Sequence, residues 1–478
     1  MPFDRQRMID SRHHKNADRQ PLLSLAPLAA ALSVGLFGNV LATTISVDVA
    51  SPGSAGGRCT LLNAVAAVNT SARVHGCAAG NGNNDTIDLT GFNAATTIIF
   101  TSAADGNSAL VLSKPATIKG ALDSNGQPLV SLLRSTVSGT PSFRLISTNS
   151  DLSIYGLALN NGSTTGNGGA IYAIDSAHLT LSHTTATGNS AVYGGAAYEA
   201  YNGTITIDHS TFSGNSAARD GGAVLERGTG GTVTLTSSLI MGNTAMYSGG
   251  GVMAQGSLSL SDTTISGNTA MDGNGGGVSA LEVLEATGST LSRNTSGSHG
   301  GAINVLGTST LTNSTITGNT AKYSGGGVFA FAANLYFCTV YANSNTMPGY
   351  KGAGLYFAQS ASTTASIITG NGADDVDAPY NIPMAGSYNI IGTSGVSTPG
   401  DTRNCDVKLG PLASFGGPTK TLPLLTGSCA IDSGPLSSSV STDQRGDPRP
   451  VQANMPPTRA DVGAFEKQSP DDPDIIFF

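Results

Sequence analysis

Hydrophobic and polar positions between residues 156 and 371 follow a pattern that returns every 24 to 28 residues. An asparagine marks each copy, and apolar side chains stand three, eight and ten positions before it in most copies. Positions eight and ten are two apart, so they lie on one face of a strand. The pattern predicts short strands that return to the same face once per repeat. The marker residues are Asn189, Asn215, Asn243, Asn268, Asn294, Asn319, Asn343 and Asn371.

One such repeat buries too little apolar surface to fold alone, whereas stacked repeats complete each other's core. We therefore predict an all-β fold, a right-handed parallel β-helix (solenoid) with N- and C-terminal caps. The asparagines from Asn189 to Asn343 then form an internal ladder in which each side-chain amide bonds to the next. The glycines that follow them occupy turns that need positive φ.

Composition agrees with this fold and excludes others. Only 11% of residues are charged, 63 residues are glycine, and 39% are hydrophobic. The hydrophobic content is too high for a disordered chain, and the helix-favouring runs of Glu, Lys, Leu and Ala are missing. A net charge of -8 with no Lys/Arg cluster in the body makes nucleic acid an unexpected partner.

The first residues have the pattern of an export signal. A basic segment from Arg5 to Arg19 precedes the apolar stretch from Leu22 to Leu36, which is short for a membrane span. Val40-Leu41-Ala42 offers a cleavage site, so we predict a signal peptide over residues 1–42; an uncleaved membrane anchor is the alternative. No second long apolar stretch follows, so no transmembrane segment is expected in the mature chain.

Five cysteines agree with export to an oxidising compartment. Cys59 and Cys77 lie near the predicted mature N-terminus, and Cys405 and Cys429 lie near the C-terminus, so we predict one disulfide within each pair. Cys338 stands five positions before Asn343, in a column that otherwise holds hydroxyl side chains. It is therefore predicted to be structural. That column contains Thr184, Ser210, Ser238, Thr263, Ser289, Ser314 and Ser366.

Several motifs resemble those of bacterial surface proteins. Phe212–Asn215 followed by Gly221–Val224 resembles the repeats of polymorphic outer-membrane proteins, as does Gly300–Ile303. Cys59–Val65, with Gly76-Cys77 after it, resembles the CSLREA-type segment that opens many surface β-helices. It departs from that segment at Leu62 and Asn63, where the family usually has Arg and Glu.

The C-terminal motifs are similar to the choice-of-anchor Q domain. The motifs follow in order as Leu409–Leu412, Gly416–Thr419, Ala430–Asp432, Thr442–Gly446 and Asp461–Glu466. Together the resemblances imply display at the cell surface or outer membrane, or release outside the cell, and imply no reaction. The predicted organisation is a signal peptide (1–42), an N-terminal cap (43–84), β-helix repeats (85–399), a C-terminal cap (400–466) and a short tail (467–478).

Two groups of residues are weak candidates for catalysis. His183, Asp208 and His209 occupy neighbouring positions in adjacent repeats and form a candidate acid/base cluster, with solvated turn residues as the alternative. Asp374-Asp375 resembles the paired acids of glycan hydrolases, although a loop or a weak calcium site also fits. We predict no dedicated metal site and no cofactor.

A binding surface is the stronger candidate. Residues four positions after the asparagines form a predicted exposed stripe, and tyrosine there can stack on sugar rings or anchor a protein. Turn residues that merely shield backbone are the alternative. The stripe contains Tyr193, Arg219, Tyr247, Asp272 and Tyr323.

Three functions follow from these features. The first is an exported, non-catalytic surface or secreted protein for adhesion, with an extracellular glycan or a host or matrix protein as its partner. The second is a polysaccharide lyase or glycoside hydrolase. The third is a structural spacer without a ligand.

Overall fold

The computed structural model describes residues 41–53, 56–372, 374–450 and 459–468. The predicted signal peptide falls almost wholly outside these described residues, and so does most of the predicted tail. The only α-helix among the described residues is α1 (Leu61–Thr70), and one 3-10 turn covers Pro379–Asn381. All other regular structure in the described ranges is β-strand.

The strands form four stacks, named A to D in the order in which a coil passes through them, and every named strand pairs parallel to the strand one coil away. Stacks A and B share one sheet, because three long strands run through both. Stack A contains Ser108–Leu112, Arg144–Thr148, Ile171–Ala173, Ala197–Ala200, Val224–Arg227, Val252–Ala254, Val278–Ala280, Ile303–Thr312, Val328–Tyr336, Leu355–Thr364 and Val376–Asp377.

The remaining stacks complete each coil. Stack B contains Thr44–Ser46, Asp85–Asp88, Ala116–Lys119, Leu152–Tyr155, Leu179–Ser182, Thr204–Asp208, Thr232–Thr236, Ser257–Ser261, Val283–Thr287, the three long strands and Ala385–Ser387. Stack C contains Thr96–Phe100, Val130–Arg134, Leu157–Asn160, Thr185–Thr187, Thr211–Ser213, Leu239–Met241, Thr264–Ser266, Thr290–Ser292, Thr315–Thr317, Thr339–Tyr341, Ile367–Thr369 and Ile390–Ile391. Stack D contains Ser190–Ala191, Ser216–Ala217, Thr244–Ala245, Thr269–Ala270, Thr295–Ser296, Thr320–Ala321 and Ser344–Asn345.

The core consists of columns of apolar side chains inside the coils. Ile207, Leu235 and Leu260 are direct neighbours in stack B, and Phe212 and Ile240 are neighbours in stack C; all are buried. Burial of each such side chain contributes about 1.5–3 kcal/mol relative to leaving it exposed. The parallel stacking confirms the predicted parallel β-helix, and the apolar positions before each asparagine provide its core.

The marker asparagines form a continuous buried column. Asn243 Nδ2 donates to Asn268 Oδ1 at 2.9 Å, and the Asn243 backbone N–H donates to the same oxygen at 2.9 Å. Asn268 Nδ2 in turn donates to Asn294 Oδ1 and to the Ile240 carbonyl, both at 3.0 Å. The same pattern runs from Asn189 to Asn371, so each side-chain amide bonds to its neighbours in the column and to backbone groups of the preceding coil.

The hydroxyl column also lies inside the coils, and Cys338 occupies one of its positions. The Cys338 backbone N–H donates to Ser366 Oγ at 3.1 Å, just as that of Ser210 donates to Ser238 Oγ at 3.1 Å. The thiol is fully buried, and burial raises the pKa of Cys338 to about 12. A thiol in this position has almost no thiolate and no access to reagents.

We therefore expect a thiol reagent to label almost no Cys338 in the native, non-reduced protein. After denaturation without reductant it should label one thiol per chain, since Cys338 is the free cysteine and the other four are paired. Rapid labelling of the native protein would show that this part of the core opens readily.

Two glutamates replace apolar residues in an interior column of stack A. Glu199 and Glu226 lie side by side in adjacent coils, with Ala173 before them and Ala254 after them, and both are fully buried. Glu226 Oε2 accepts from the Gly256 N–H at 3.0 Å. The carboxyl groups occupy space that a side chain on the facing glycines would fill.

The N-terminal segment places helix α1 against the first strand of stack A. Thr60 Oγ1 caps the helix by accepting from the Asn63 N–H at 3.3 Å, and Asn69 Nδ2 donates to the Val111 carbonyl at 2.8 Å. The Cys59–Cys77 disulfide closes this segment.

The C-terminal lobe, residues 404–450 and 459–468, lies along stack C rather than only over the last coil. Gln444 Nε2 donates to Thr290 Oγ1 at 2.9 Å, and Thr315 Oγ1 donates to Gln444 Oε1 at 2.6 Å. Further along, the Ala464 N–H donates to Thr339 Oγ1 at 3.0 Å. The lobe thus spans several coils, which the capping role predicted for residues 400–466 did not anticipate.

The lobe has its own internal supports. Cys405 and Cys429 form a disulfide, and the Arg445 guanidinium lies 2.7 Å from the Asp443 carboxylate. Arg449, which is buried, pairs with Glu466 at 3.2 Å. These contacts hold the lobe in one shape against the coils.

Candidate ligand-binding surface

The predicted stripe lies in the turns that connect stack D to stack A. Each turn ends in a pair of glycines, and a side chain on Gly195 would overlap the Gly222 carbonyl and the Ser216 backbone of the next coil. Gly194 adopts a φ of +60°. Only glycine allows the turns to lie this close, so residues before the glycines line up from coil to coil.

Three residues of the stripe form one cluster. The Arg219 guanidinium lies 5.8 Å from the Tyr193 ring centroid and 5.9 Å from that of Tyr247. The Arg227 guanidinium also lies 5.6 Å from the Tyr193 ring centroid. Tyr247 is 45% exposed, so its ring is accessible to a ligand while the cation–π contacts orient it. The arrangement presents a flat aromatic face beside hydrogen-bond donors.

A second layer of rings, which the sequence did not predict, supports this cluster. Tyr172 and Tyr198 point outward from stack A with ring centroids 5.4 Å apart, and Tyr193 covers Tyr198, which is 3% exposed. Burial raises the pKa of both tyrosines. Arg144 extends the row, with its guanidinium 5.0 Å from the Tyr172 ring. The sequence does mark these tyrosines, because Tyr172 and Tyr198 each stand two residues after a Gly-Gly-Ala segment.

Tyr323 belongs to a separate cluster further along the same face. Its ring lies 4.7 Å from that of Tyr350 and 5.3 Å from that of His299. Phe329 and Tyr356 stack at 5.2 Å with an interplanar angle of 10°. His299 Nδ1 accepts from the Ser324 N–H at 3.2 Å, and burial lowers the pKa of His299. A neutral, oriented imidazole therefore joins the rings.

Asp272 occupies the equivalent turn position in a coil between the two clusters. The predicted stripe is therefore not continuous: Tyr193, Arg219 and Tyr247 are brought together, whereas Tyr323 is placed in the second group. We call the two groups together the aromatic surface. It contains Tyr172, Tyr193, Tyr198, Arg219, Tyr247, His299, Tyr323, Phe329, Tyr350 and Tyr356.

The predicted acid/base residues also come together, at the corner between stacks B and C. The His183 and His209 rings stack with centroids 5.1 Å apart and an interplanar angle of 5°. His209 Nδ1 lies 2.8 Å from Asp208 Oδ1, and Ser182 Oγ lies 3.0 Å from His183 Nδ1. The His209 side chain is 55% exposed, so water competes for the acid/base groups. The cluster has suitable residue types but an open setting.

Asp374 and Asp375 have different environments. Asp375 Oδ1 accepts from the backbone and side-chain N–H groups of Asn371, both at 2.8 Å, and Oδ2 accepts from the Thr393 N–H at 2.7 Å. Asp375 therefore ends the asparagine ladder, a structural role that the predicted paired acid or calcium ligand did not include. Asp374 Oδ2 lies 3.1 Å from Lys351 Nζ at the surface.

The described ranges lack two further features. They contain no group of three or more His, Cys, Asp or Glu side chains arranged to hold a metal ion. Within the same ranges, no helix is long and apolar enough to cross a membrane.

One comparison with known proteins supports the fold. A family model described as a right-handed β-helix region matches residues 145–321, and with the parallel strands it confirms the predicted right-handed β-helix. Among solved structures, the crystal structure of pectate lyase Pel9A is similar at 15% sequence identity and a TM-score of 0.39, over 89% of this chain and 97% of that chain. A similarity this low gives no information on activity. No curated protein matches the chain.

Proposed function

We propose that this chain is an exported β-helix protein that binds an extracellular glycan at the aromatic surface without changing it chemically. The observation that carries the proposal is the Tyr193–Arg219–Tyr247 group on a rigid turn array, in which Arg219 and Tyr247 are exposed and Tyr193 is half-buried. Aromatic faces stack on the apolar faces of sugar rings, and the neighbouring guanidinium supplies donors for hydroxyl groups. The coils fix the spacing of these groups before the ligand arrives, which reduces the entropy cost of binding.

Several features support export and surface display. The basic and apolar residues before Thr43 have the pattern of a signal peptide. The two disulfides fit an oxidising compartment. The similarity to the CSLREA-type segment, to polymorphic outer-membrane repeats and to the choice-of-anchor Q domain is typical of surface proteins.

Replacing Tyr193, Tyr247 and Tyr323 together with serine is expected to weaken glycan binding at least about tenfold, because each ring contributes a stacking contact. The measurement is retention on a panel of immobilised neutral and acidic glycans, followed by affinity for the best of them. Tyr336→Ser with Tyr380→Ser is the matched control, since both rings are exposed outside the aromatic surface.

Thermal melting of both variants separates binding from stability. A triple variant that melts like the parent but is not retained supports the proposal. Unchanged retention of the triple variant would contradict the proposal and would mean that these tyrosines only shield the backbone.

The second candidate function is a polysaccharide lyase or hydrolase. The stacked His183 and His209 rings beside Asp208 favour it, because they bring acid and base groups within hydrogen-bond distance. Release of reducing ends or unsaturated uronates from polysaccharides, tested with and without calcium, would support this candidate if His209→Ala abolished it. No release from any substrate would leave binding as the function.

The third candidate, a spacer without a ligand, predicts no retention on any glycan and end-to-end assembly of the purified chain. Light scattering distinguishes it from the other two.

A further inference from the structure

A second groove lies on stack C, where the coils meet the C-terminal lobe. One part, of about 560 Å³, runs over the outward faces of the strands Leu239–Met241, Thr264–Ser266 and Thr290–Ser292. A second part, of about 330 Å³, continues to Tyr341, and the two share Ser292, Arg293 and Leu412. The combined groove is in the size range of ligand sites.

Arg293 stands out in its column. The equivalent position is glycine in six other coils and Ala342 in a seventh, and all of these residues have a positive φ; Arg293 adopts +56° and Ala342 +57°. A left-handed backbone disfavours any residue with a Cβ, so an arginine here is strained where glycine is not. The six glycines are Gly188, Gly214, Gly242, Gly267, Gly318 and Gly370.

Packing of the neighbouring coils does not require an arginine. A Cβ at Gly214, Gly242 or Gly267 would meet no atom within 4 Å, and one at Gly318 would meet the Arg293 side chain at 3.9 Å, so the part of the column around Arg293 is open. Among the described residues, no hydrogen bond or ion pair engages the Arg293 guanidinium. A strained residue whose guanidinium has no hydrogen bond or ion pair within the described ranges points to a role in ligand binding.

Other groups of the groove complement a charged saccharide. Lys420 adds a second cation from the lobe, and Thr264 and Ser266 present hydroxyl groups on the floor. Asp262 also lines the groove, where it can accept hydrogen bonds from hydroxyl groups; burial raises its pKa. Cations and acceptors within one groove fit a sugar that carries both an anion and free hydroxyls.

The groove is preformed because the lobe is bonded to its floor. Thr419 Oγ1 donates to the Gly288 carbonyl at 2.6 Å, and Thr290 Oγ1 donates to the Lys420 carbonyl at 2.5 Å. Gln444 Nε2 donates to both Thr290 and Thr419. These bonds fix the backbone of Lys420 in the wall of the groove that Arg293 also lines.

We propose that this groove binds the carboxylate or sulfate groups of an acidic polysaccharide, with Arg293 and Lys420 as the anion donors. The groove is formed by stack C and the lobe, whereas the aromatic surface is formed by stack A and the turns that precede it. The inference therefore holds or fails independently of the function proposed for the aromatic surface.

The decisive variant is Arg293→Gly. Binding of the full chain to dextran sulfate, polygalacturonate, neutral dextran and inorganic sulfate is measured by calorimetry at two salt concentrations. We expect saturable binding to at least one acidic polymer, weaker at high salt, and at least about tenfold weaker in Arg293→Gly. The melting temperature of that variant should equal or exceed that of the parent, because glycine relieves the backbone.

Two further variants complete the test. Lys420→Gln should also weaken binding, whereas Lys119→Gln, which removes an exposed charge on stack B, should not. Equal binding by Arg293→Gly and the parent overturns the proposal, as does equal binding to neutral dextran. Binding of inorganic sulfate as tightly as the polymer would show an adventitious anion only. The triple tyrosine variant should bind the acidic polymer normally.

Discussion

Asn268→Ala is expected to lower the free energy of unfolding by about 4 kcal/mol. The substitution removes the acceptor of the Asn243 side-chain and backbone N–H groups and the donor to the Ile240 carbonyl. Each buried polar group left without a partner costs about 1–3 kcal/mol. All three groups lie inside the coils, where water does not easily replace the lost amide.

Denaturant unfolding, followed by circular dichroism, measures this effect. Asn125→Ala is the matched control, because Asn125 lies in an exposed turn; we expect it to change the free energy by less than about 0.5 kcal/mol. A loss below about 1 kcal/mol in Asn268→Ala would mean that the coils relax around the gap and that the ladder is not a main source of stability.

The second large effect is a dependence of stability on pH that arises from Glu199 and Glu226. Burial raises the pKa of each carboxyl from 4.5 to about 7 in the folded chain. In the unfolded chain both ionise near 4.5, so between these pH values the folded state holds more protons than the unfolded state. The free energy of unfolding therefore falls as the pH rises from about 4.5 to about 7, by roughly 3 kcal/mol for each glutamate.

Glu199→Gln and Glu226→Gln are expected to flatten this dependence and to raise the melting temperature at pH 8, since a neutral amide carries no desolvation penalty for charge. Melting curves of the two single variants and the double variant between pH 5 and 8 measure it. Glu285→Gln, on the exposed face of stack B, is the control. A parent protein that is equally stable at pH 5 and pH 8 would contradict the buried, neutral state of these carboxyls.

The repeat was readable from the sequence because solenoid contacts are made between neighbouring copies. Aligning on Asn189 to Asn343 placed the interior apolar columns, and the same alignment placed Cys338 among hydroxyl residues. The period thus predicted the β-helix itself, since a column in the alignment is a column in space.

Other features were hidden because they depend on which face of a strand points inward. Glu199 and Glu226 look like surface charges in the sequence. Each stands two residues after a buried residue of its strand, Ala197 or Val224, so its side chain points into the core. Tyr198 shows the opposite case, since it points outward but is covered by a turn from the same coil. A local pattern does not reveal such coverage.

The contacts between the C-terminal lobe and the coils could not be predicted from the sequence for a different reason. Gln444 bonds to Thr290 and Thr315 across more than a hundred residues of sequence, and nothing in the repeat marks those threonines as covered. Because the position of the lobe was not predicted, the groove between the lobe and stack C was not predicted either. Arg293 itself was visible as a break in a column of glycines.

The position of the lobe has a mechanical consequence. Coils between residues 160 and 266 are held by their immediate neighbours, so a force that pulls on the chain separates them one at a time. From Gly288 to Ile367 the lobe is bonded or packed against successive coils, so they part only when the lobe is torn away as well. The lobe thus stabilises the last coils mechanically. Under tension we expect the middle coils to unfold first, while the last coils stay folded.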